Sequence, residues 1–244
     1  MVQTVICAKW GTRYSATYVD TLWSMIQRNT RRATRLVCFT DDPSGLRPEV
    51  EALSIPEFGI PARKRKSTWR KLAFWSQDLA GVSGDVLFLD LDIVITGSID
   101  EFFDFEPAAT FCVIENWTQM GRRIGNTSAY RFRVGAHDYL CRRFEDDPEA
   151  VLKAYPNSQT YISRTVSEMA FWPREWCLSF KHSLVPLWPL NFLKPPALPA
   201  SARIVCFTGK PDPPEARDGV WPCKWHERLY KHVRPTPWIN QHWR

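Results

Sequence analysis

The sequence lacks the features of disulfide-rich, zinc-binding and membrane-spanning proteins. Its seven cysteines include no Cys-x-x-Cys pair, and several lie in apolar runs such as residues 5–8 and 36–39. We therefore expect reduced, buried thiols. The apolar stretch 184–193 is too short to span a bilayer and contains two prolines. The first residues lack the basic start and cleavage site of a signal peptide. We expect a soluble cytoplasmic protein, with peripheral docking at the inner face of a membrane left open.

Several catalytic signatures are also missing. There is no nucleophile elbow, no P-loop and no Gly-x-Gly-x-x-Gly sequence, and the five histidines show no metal-ligand spacing. What remains is a chain of 244 residues with 44% hydrophobic and 24% charged residues, which is close to the globular average. That length is enough for one α/β domain with a full hydrophobic core.

Basic and aromatic residues are abundant. The net charge is +6, and the chain has 12 tryptophans and 19 prolines. Residues 63–71 contain six basic residues and no acidic one, while the last 24 residues contain five Lys or Arg and one Glu. Such patches suit an anionic ligand: a nucleic acid, a nucleotide-sugar diphosphate or an anionic membrane. A solvated loop and a basic tail explain them equally well.

The first part of the chain alternates apolar runs with helical periodicity. Strands are predicted at 5–8, 36–39, 50–55 and 86–95, and helices at 16–28 and 72–79. This alternation predicts a doubly wound, mostly parallel sheet flanked by helices. Ligands of such sheets bind at the carboxyl ends of the strands, here near loops 9–15, 40–45 and 90–98.

The pattern loosens after residue 105. A strand is predicted at 110–114, a helix at 136–154, an irregular Trp- and Pro-rich segment at 171–200 and a last strand at 203–207. There is no internal repeat and no low-complexity linker. We therefore interpret residues 1–244 as one domain with two halves, 1–105 and 106–244.

Asp90 and Asp92 interrupt the apolar run 86–95. A charged group in a buried strand is costly unless it is paired or metal-bound. On an extended chain, residues two apart point to the same side. Two carboxylates on one side suit Mg²⁺ or Mn²⁺, with positions left for water and substrate phosphates. Asp-x-Asp alone also describes an exposed strand end or a helix cap, but the apolar flanks favour the metal site.

Residues 84–103, GDVLFLDLDIVITGSIDEFF, resemble the core signature of GT-A-fold glycosyltransferases, particularly the group that includes glycogenin and bacterial galactosyl- and glucosyltransferases. The resemblance implies a GT-A-like fold and a hexosyltransferase that takes a sugar from a nucleotide-sugar donor, with a UDP-sugar as the expected donor. It makes 1–105 the nucleotide-binding half and 106–244 the acceptor side and tail. It implies that Asp90 and Asp92 hold a divalent cation against the diphosphate.

Further segments fit the same family. The opening strand and loop, the segment 38–43 and the Asn126–Ser128 segment match its donor site, and residues 206–211 resemble its C-terminal His-x-Gly-x-x-Lys-Pro segment. By resemblance, the nucleotide-sugar site includes Ala8, Gly11, Arg13, Tyr14, Asp41, Asp90, Leu91, Asn126, Ser128, Gly209 and Lys210. An ordinary strand–helix turn would also account for the residues around Gly11, and a turn-forming role for Asp41.

Cationic side chains in the basic loop are candidates to clamp phosphates, because they stabilise negative charge on a leaving group. Among Arg63, Lys66, Arg70 and Lys71 we favour Lys66 and Arg70. The catalytic candidates are Asp90, Asp92 and Gln159, and Glu115 is a weaker one. Gln159 enters because Ser158-Gln159 is the best match to the family's Asp-Gln acceptor motif, which is not intact here.

A second departure from the family concerns the metal. Thr208 stands where the family usually has a third ligand, a histidine. Either Asp90, Asp92 and the diphosphate hold the cation without it, or dependence on Mn²⁺ or Mg²⁺ is lost.

Two other function classes stay open. A sugar-phosphate nucleotidyltransferase shares the sheet topology but normally has a Gly-rich first loop, where this chain has only Gly11. A degenerate nucleotide-sugar binder, or a nucleic-acid binder, would use the basic patches, although these carry no recognisable reading motif. The acceptor, whether saccharide, lipid or protein, is undetermined. The tail tryptophans Trp221, Trp225, Trp238 and Trp243 fit core packing, an acceptor site or a membrane surface.

Overall fold

The computed structural model describes residues 2–244. The strands are β1 Gln3–Lys9, β2 Thr34–Thr40, β3 Glu51–Ser54, β4 Asp85–Leu89, β5 Ile93–Ile95, β6 Phe111–Glu115, β7 Gly125–Arg133, β8 Ala170–Phe171, β9 Cys177–Ser179 and β10 Ile204–Cys206. The α-helices are α1 Ala16–Arg28, α2 Asp100–Asp104, α3 Tyr139–Asp146, α4 Pro148–Ala154, α5 Ser158–Thr165, α6 Pro213–Arg217 and α7 Trp238–His242. Short 3-10 helices lie at Ala62–Lys64, Thr68–Trp75, Leu190–Phe192 and Trp225–Leu229, and a π-helical turn at Phe180–Leu184.

Seven strands form the main sheet, in the order β3-β2-β1-β4-β7-β6-β8. Four neighbouring pairs are parallel, and the two pairs that involve β7 are antiparallel. A second sheet has the order β5-β10-β9. The expected doubly wound, mostly parallel sheet flanked by helices is confirmed. Both sheets join strands from before and after residue 105, so the two predicted halves share them.

Alternate residues of the same strand enter different hydrophobic clusters. Val5 and Cys7 pack on one face of the main sheet, whereas Ile6 of the same strand packs on the other. In a strand, successive side chains point to opposite faces, so both faces of this sheet are covered. The apolar runs in the sequence have this cause. Six of the seven free cysteines are buried and Cys223 is half-buried.

Helix α1 has the bounds predicted from its periodicity. Its buried residues Val19, Leu22, Met25 and Ile26 form one stripe, and Ser15 precedes it in an extended conformation. The side chain of Asn29 donates to the carbonyl oxygen of Met25 at 2.8 Å and closes the last turn.

Two helix predictions were wrong in detail. The helix expected at 72–79 is a 3-10 helix at Thr68–Trp75, and Leu79 instead forms a bridge with Val82. The helix expected at 136–154 is two helices, α3 and α4. Pro148 begins α4, because proline cannot donate the hydrogen bond that a continuous helix requires there.

The sequence did not predict β7 or α5. Strand β7 is almost wholly buried although it is largely polar, because its polar groups find partners inside the protein. Arg131, only 1% exposed, donates to the carbonyl oxygens of Phe103 at 2.8 Å and Phe105 at 2.6 Å, among others. A buried cation in a strand breaks the apolar pattern on which strand prediction depends.

The irregular segment expected at 171–200 contains only short elements: part of β8, β9, the π-helical turn and one 3-10 helix. Of the four tail tryptophans, Trp221, Trp238 and Trp243 pack against the hydrophobic core, whereas Trp225 is 80% exposed. Across residues 2–244, the helices are all too short or too polar to cross a membrane.

Candidate functional site

A cavity of about 730 Å³ lies at the carboxyl ends of β1 and β4. Because β7 is antiparallel to β4, its first residues reach the same edge of the sheet. Of the predicted site residues, the wall contains Ala8, Gly11, Arg13, Tyr14, Lys66, Asp90, Leu91, Asp92, Asn126, Ser128, Gln159 and Gly209. Thr208 is also in the wall. Asp41, Arg70 and Lys210 lie outside it.

Asp90, Leu91 and Asp92 form the turn between β4 and β5, so the predicted single strand 86–95 is divided between the two sheets. The backbone N–H of Asp90 donates to the carbonyl oxygen of Ser128 at 2.8 Å, and the carbonyl oxygen of Asp92 accepts from the N–H of Phe207 at 2.9 Å. Leu91 is 2% exposed. The turn is therefore fixed at both ends and by its central side chain, and both carboxylates face the cavity.

Asp90 is paired with Lys71. The two charged groups are 2.5 Å apart, and their side chains are 20% and 10% exposed. Lys71 lies on the 3-10 helix Thr68–Trp75, above the ring of Phe88 at 5.1 Å. Two poorly solvated charges of opposite sign compensate each other where either alone would be costly. This pairing is how the protein keeps a carboxylate at the end of an apolar strand.

Asp92 has weaker support from neighbouring charges. It accepts a hydrogen bond from the Tyr14 hydroxyl at 2.9 Å, and the Arg13 guanidinium lies 3.8 Å away. Burial and the neighbouring charge of Asp90 raise the pKa of Asp92 to about 7. This carboxyl therefore takes up or releases a proton near neutral pH, and a cation placed between the two aspartates would favour its ionised form.

The two aspartates meet the requirements of a divalent cation in part. Within residues 2–244, no three His, Cys, Asp or Glu side chains are arranged to hold a metal ion. Mg²⁺ is commonly bound by one or two carboxylates and completes its shell with water and substrate phosphates. The pair thus fits a cation shared with a bound diphosphate rather than a closed protein cage.

The loop after β1 is held by Asp41 and Arg70, which lie outside the cavity wall. Gly11 has φ +62°, a conformation that glycine adopts without strain. Its N–H approaches both carboxylate oxygens of Asp41 at 3.3 Å, and Arg70 pairs with Asp41 at 3.4 Å. Arg70 also lies 5.8 Å from the ring of Trp10. Asp41 and Arg70, predicted as ligand contacts, support this loop in the structure.

The other end of the wall is the loop after β10. Gly209 has φ +80°, and a Cβ built on it would lie 3.7 Å from the Lys181 ammonium. Lys210, predicted to reach the diphosphate, instead pairs with Asp212 at 2.7 Å and Glu215 at 2.6 Å, at the start of α6. The structure therefore brings Lys181 to this loop, and it turns Lys210 towards α6.

Of the catalytic candidates Gln159 and Glu115, only Gln159 lies at the cavity. Gln159 is in the cavity wall, and Ser158 beside it donates to the carbonyl oxygen of Thr68 at 3.2 Å, which fixes the start of α5. Glu115 lies outside the wall. Its carboxylate accepts from the N–H of Gly121 at 2.7 Å and pairs with Arg174 at 2.9 Å. These contacts give Glu115 a structural role.

Sequence reasoning missed several residues of the wall. They are Trp10, Thr12, Thr68, Asn116, Trp117, Thr118, Thr127, His182 and Phe207, together with Lys71, which we had ranked below Lys66 and Arg70. Most of them lie on loops from distant parts of the chain. The position of Asn116, Trp117 and Thr118 directly after a predicted strand was the one signal available.

The fold and the cavity define a class: a doubly wound α/β protein with paired carboxylates at the carboxyl edge of its sheet, where such folds bind ligands. No protein-family model matches the chain, and no curated protein matches its sequence. Solved structures do match its fold.

Three of these structures show the range of the likeness. The galactosyltransferase LgtC, in complex with donor and acceptor sugar analogs, has a TM-score of 0.61 at 12% identity, over 86% of this chain and 89% of that one. The glycosyltransferase GlyE of Streptococcus pneumoniae has a TM-score of 0.59 at 12% identity, over 86% of this chain and 56% of that one. Mouse xyloside xylosyltransferase 1 has a TM-score of 0.54 at 10% identity, over 86% of this chain and 98% of that one. The chain has the fold of these glycosyltransferases, which confirms the predicted resemblance at the level of the fold.

Proposed function

We propose that the protein is a glycosyltransferase that moves a sugar from a nucleotide-sugar donor, a UDP-sugar in the first instance, to a saccharide acceptor. One observation carries the proposal: Asp90 and Asp92 face a cavity of about 730 Å³ at the ligand-binding edge of the sheet, within a glycosyltransferase fold. A volume of this size accommodates a nucleotide sugar.

Cationic groups around the aspartates suit a diphosphate. Arg13 is 58% exposed and lies 3.8 Å from Asp92 and 3.7 Å from Asp212, and Lys66 is exposed, so both cations are accessible to a ligand in the cavity. Lys71 already neutralises Asp90. Charge on a departing diphosphate is stabilised by such preorganised cations in a partly enclosed site. Bound at Asp90 and Asp92, Mn²⁺ or Mg²⁺ would supply further neutralisation of the diphosphate.

The remaining wall suits sugar rings and a base. Trp10 and Trp117 offer flat apolar faces, and Asn126, Ser128 and Gln159 offer side chains that donate and accept hydrogen bonds. The N–H of Ser128 donates to the Asn126 side chain at 3.0 Å, which fixes that amide. LgtC was solved with donor and acceptor sugar analogs, and the same two kinds of ligand are proposed here.

The proposal is tested by thermal unfolding with UDP and other nucleotides, with and without Mn²⁺, followed by hydrolysis assays with UDP-sugars. A ligand at 100 times its Kd stabilises the native state by about 2.7 kcal/mol. We expect UDP to raise the Tm of the wild type, and expect Asp90→Asn and Asp92→Asn to remain folded and lose the Mn²⁺-dependent part of the shift. The control is Asp146→Asn, an exposed aspartate of α3 outside the cavity wall.

Other outcomes would point elsewhere. A full UDP shift and full turnover in Asp90→Asn would remove the aspartates from the mechanism. Release of pyrophosphate from a nucleoside triphosphate would identify a nucleotidyltransferase. Absence of any nucleotide shift, together with steeply salt-dependent binding to DNA or RNA, would identify a nucleic-acid binder.

A further inference from the structure

Exposed apolar side chains are concentrated in one region. Of the ten large hydrophobic side chains that are exposed among the described residues, seven lie in segments 187–193 and 225–230. Three of them are almost fully exposed: Leu187 at 85%, Trp225 at 80% and Leu229 at 75%. The seven residues, which we call the apolar patch, are Leu187, Trp188, Leu190, Leu193, Trp225, Leu229 and Tyr230. Clustered exposure of this kind marks an interaction surface.

The two segments are joined to each other, so the apolar patch is one surface. The Trp188 indole donates to the carbonyl oxygen of Leu229 at 3.1 Å. Asn191, which is 3% exposed, donates to the carbonyl oxygens of Tyr230 at 2.9 Å and His232 at 3.0 Å. The Phe192 ring stacks on His232 with centroids 4.4 Å apart. These contacts hold two 3-10 helices side by side with their apolar residues outward.

Positive charge surrounds the apolar patch. Residues 187–194 and 224–234 contain five Lys or Arg and one acid, a net charge of +4. The acid, Glu227, is paired with Lys231 at 2.5 Å. The other four basic residues are Lys194, Lys224, Arg228 and Arg234, and all four are exposed. A protein partner of matching shape would need an apolar face ringed by acids, whereas an anionic bilayer offers both properties over any area.

A short turn connects the apolar patch to the cavity. The π-helical turn Phe180–Leu184 leads into the apolar patch, and His182 of that turn is in the cavity wall. Lys181 of the same turn lies close to Gly209 in the wall. Burial, and to a smaller extent the charge of Lys231, lowers the pKa of Lys181. The π-helical turn therefore connects the cavity wall directly to the first segment of the apolar patch.

We propose that the apolar patch docks on an anionic bilayer, with its Leu and Trp side chains at the boundary of headgroups and acyl chains and its Lys and Arg side chains on lipid phosphates. Trp, Leu, Lys and Arg are the side chains that favour this interface. Docked in this way, the protein carries out its proposed function at a membrane, which favours a lipid-linked saccharide as the acceptor. The docking itself does not depend on the proposed function.

The experiment measures partition onto vesicles of phosphatidylcholine with and without phosphatidylglycerol. The test variant is Leu187→Ser/Trp225→Ser/Leu229→Ser. Its control is Met120→Ser/Val220→Ser, which alters two exposed apolar side chains outside the apolar patch. We expect the wild type and the control to bind anionic vesicles, and expect binding by the triple variant to be on the order of 100-fold weaker. Brominated acyl chains should quench tryptophan fluorescence in the wild type more than in the triple variant.

Charge is tested separately with Lys224→Gln/Arg228→Gln, for which we expect binding to be roughly tenfold weaker or more and less sensitive to salt. Equal binding of wild type and triple variant would overturn the proposal, as would absence of binding to anionic vesicles. Displacement by millimolar inorganic phosphate would indicate a phosphate site instead, and a dimer that the triple variant abolishes would indicate a second copy as the occupant. The UDP shift should persist in the triple variant, so failure of docking and failure of the proposed function are distinguishable.

Discussion

The ion pair between Lys71 and Asp90 gives the sharpest test of how this site is built. Both side chains are at least 80% buried, and their charged groups are 2.5 Å apart. Removing one partner of a buried pair typically destabilises a protein by about 3–5 kcal/mol, because the other charge is left poorly solvated. We expect Lys71→Met to cost about 3 kcal/mol, near the lower limit, because Asp90 is still 20% exposed.

The double variant separates the pair from its surroundings. Lys71→Met/Asp90→Asn removes both charges, and we expect it to be at least as stable as Lys71→Met alone, with a coupling energy of about 1–3 kcal/mol. The assay is equilibrium unfolding in urea at pH 7.5. In a thermal scan of a chain of this length, a change of 1 kcal/mol in the free energy of unfolding corresponds to a shift of about 2–4 °C in Tm.

The control for this cycle is the exposed pair of Arg63 and Glu149, whose side chains are 57% and 64% exposed and for which Arg63→Met should cost no more than about 1 kcal/mol. Additive effects at Lys71 and Asp90, with coupling below about 0.5 kcal/mol, would refute the argument that the lysine stabilises this carboxylate.

Three further predictions concern neighbouring groups. The raised pKa of Asp92 favours the native state only at low pH, and that contribution is lost as pH rises through about 7. Between pH 5 and pH 8, the free energy of unfolding of Asp92→Asn, measured in urea, should therefore rise by about 2–3 kcal/mol relative to that of the wild type. The same difference between variant and wild type at both pH values would contradict this prediction. Tyr14→Phe removes a hydrogen bond to that carboxylate and should cost about 1.5–3 kcal/mol at pH 8 but less at pH 5. Arg131→Met leaves buried carbonyl oxygens near α2 unpaired and should cost about 3 kcal/mol or more, against no more than about 1 kcal/mol for the exposed Arg133→Met, whose ion pair with Asp85 is at the surface.

Local patterns in the sequence predicted much of the fold. The stripe of Val19, Leu22 and Met25 defined α1, and the apolar runs at 5–8 and 36–39 defined β1 and β2. These elements follow from burial periodicity, which is a property of neighbouring residues along the chain. Strand β7 was not predicted, because Arg131 interrupts its apolar pattern. The hydrogen bonds that allow this arginine to be buried go to carbonyl oxygens more than twenty residues away in the chain.

The residues of the candidate site were likewise predicted only in part. The sequence predicted that the carboxylates of Asp90 and Asp92 lie on one side of the chain, because residues two apart on an extended segment point the same way. That they lie in a turn between β4 and β5 was decided by the pairing of these strands in different sheets. It also placed Gly11, Asn126 and Gln159 among the candidates, and all three are in the cavity wall.

Tertiary structure alone decided which cations accompany the aspartates. The basic loop 63–71 has nine residues, six of them basic, and nothing local distinguishes Lys71, which pairs with Asp90, from Arg70, which pairs with Asp41. Lys181 likewise reaches the cavity loop from a distant turn, while Lys210 turns away from it. Ion pairs depend on distances between residues that are far apart in the chain, and long side chains can reach partners in several directions. The local pattern of the sequence therefore does not indicate which partner each cation will have.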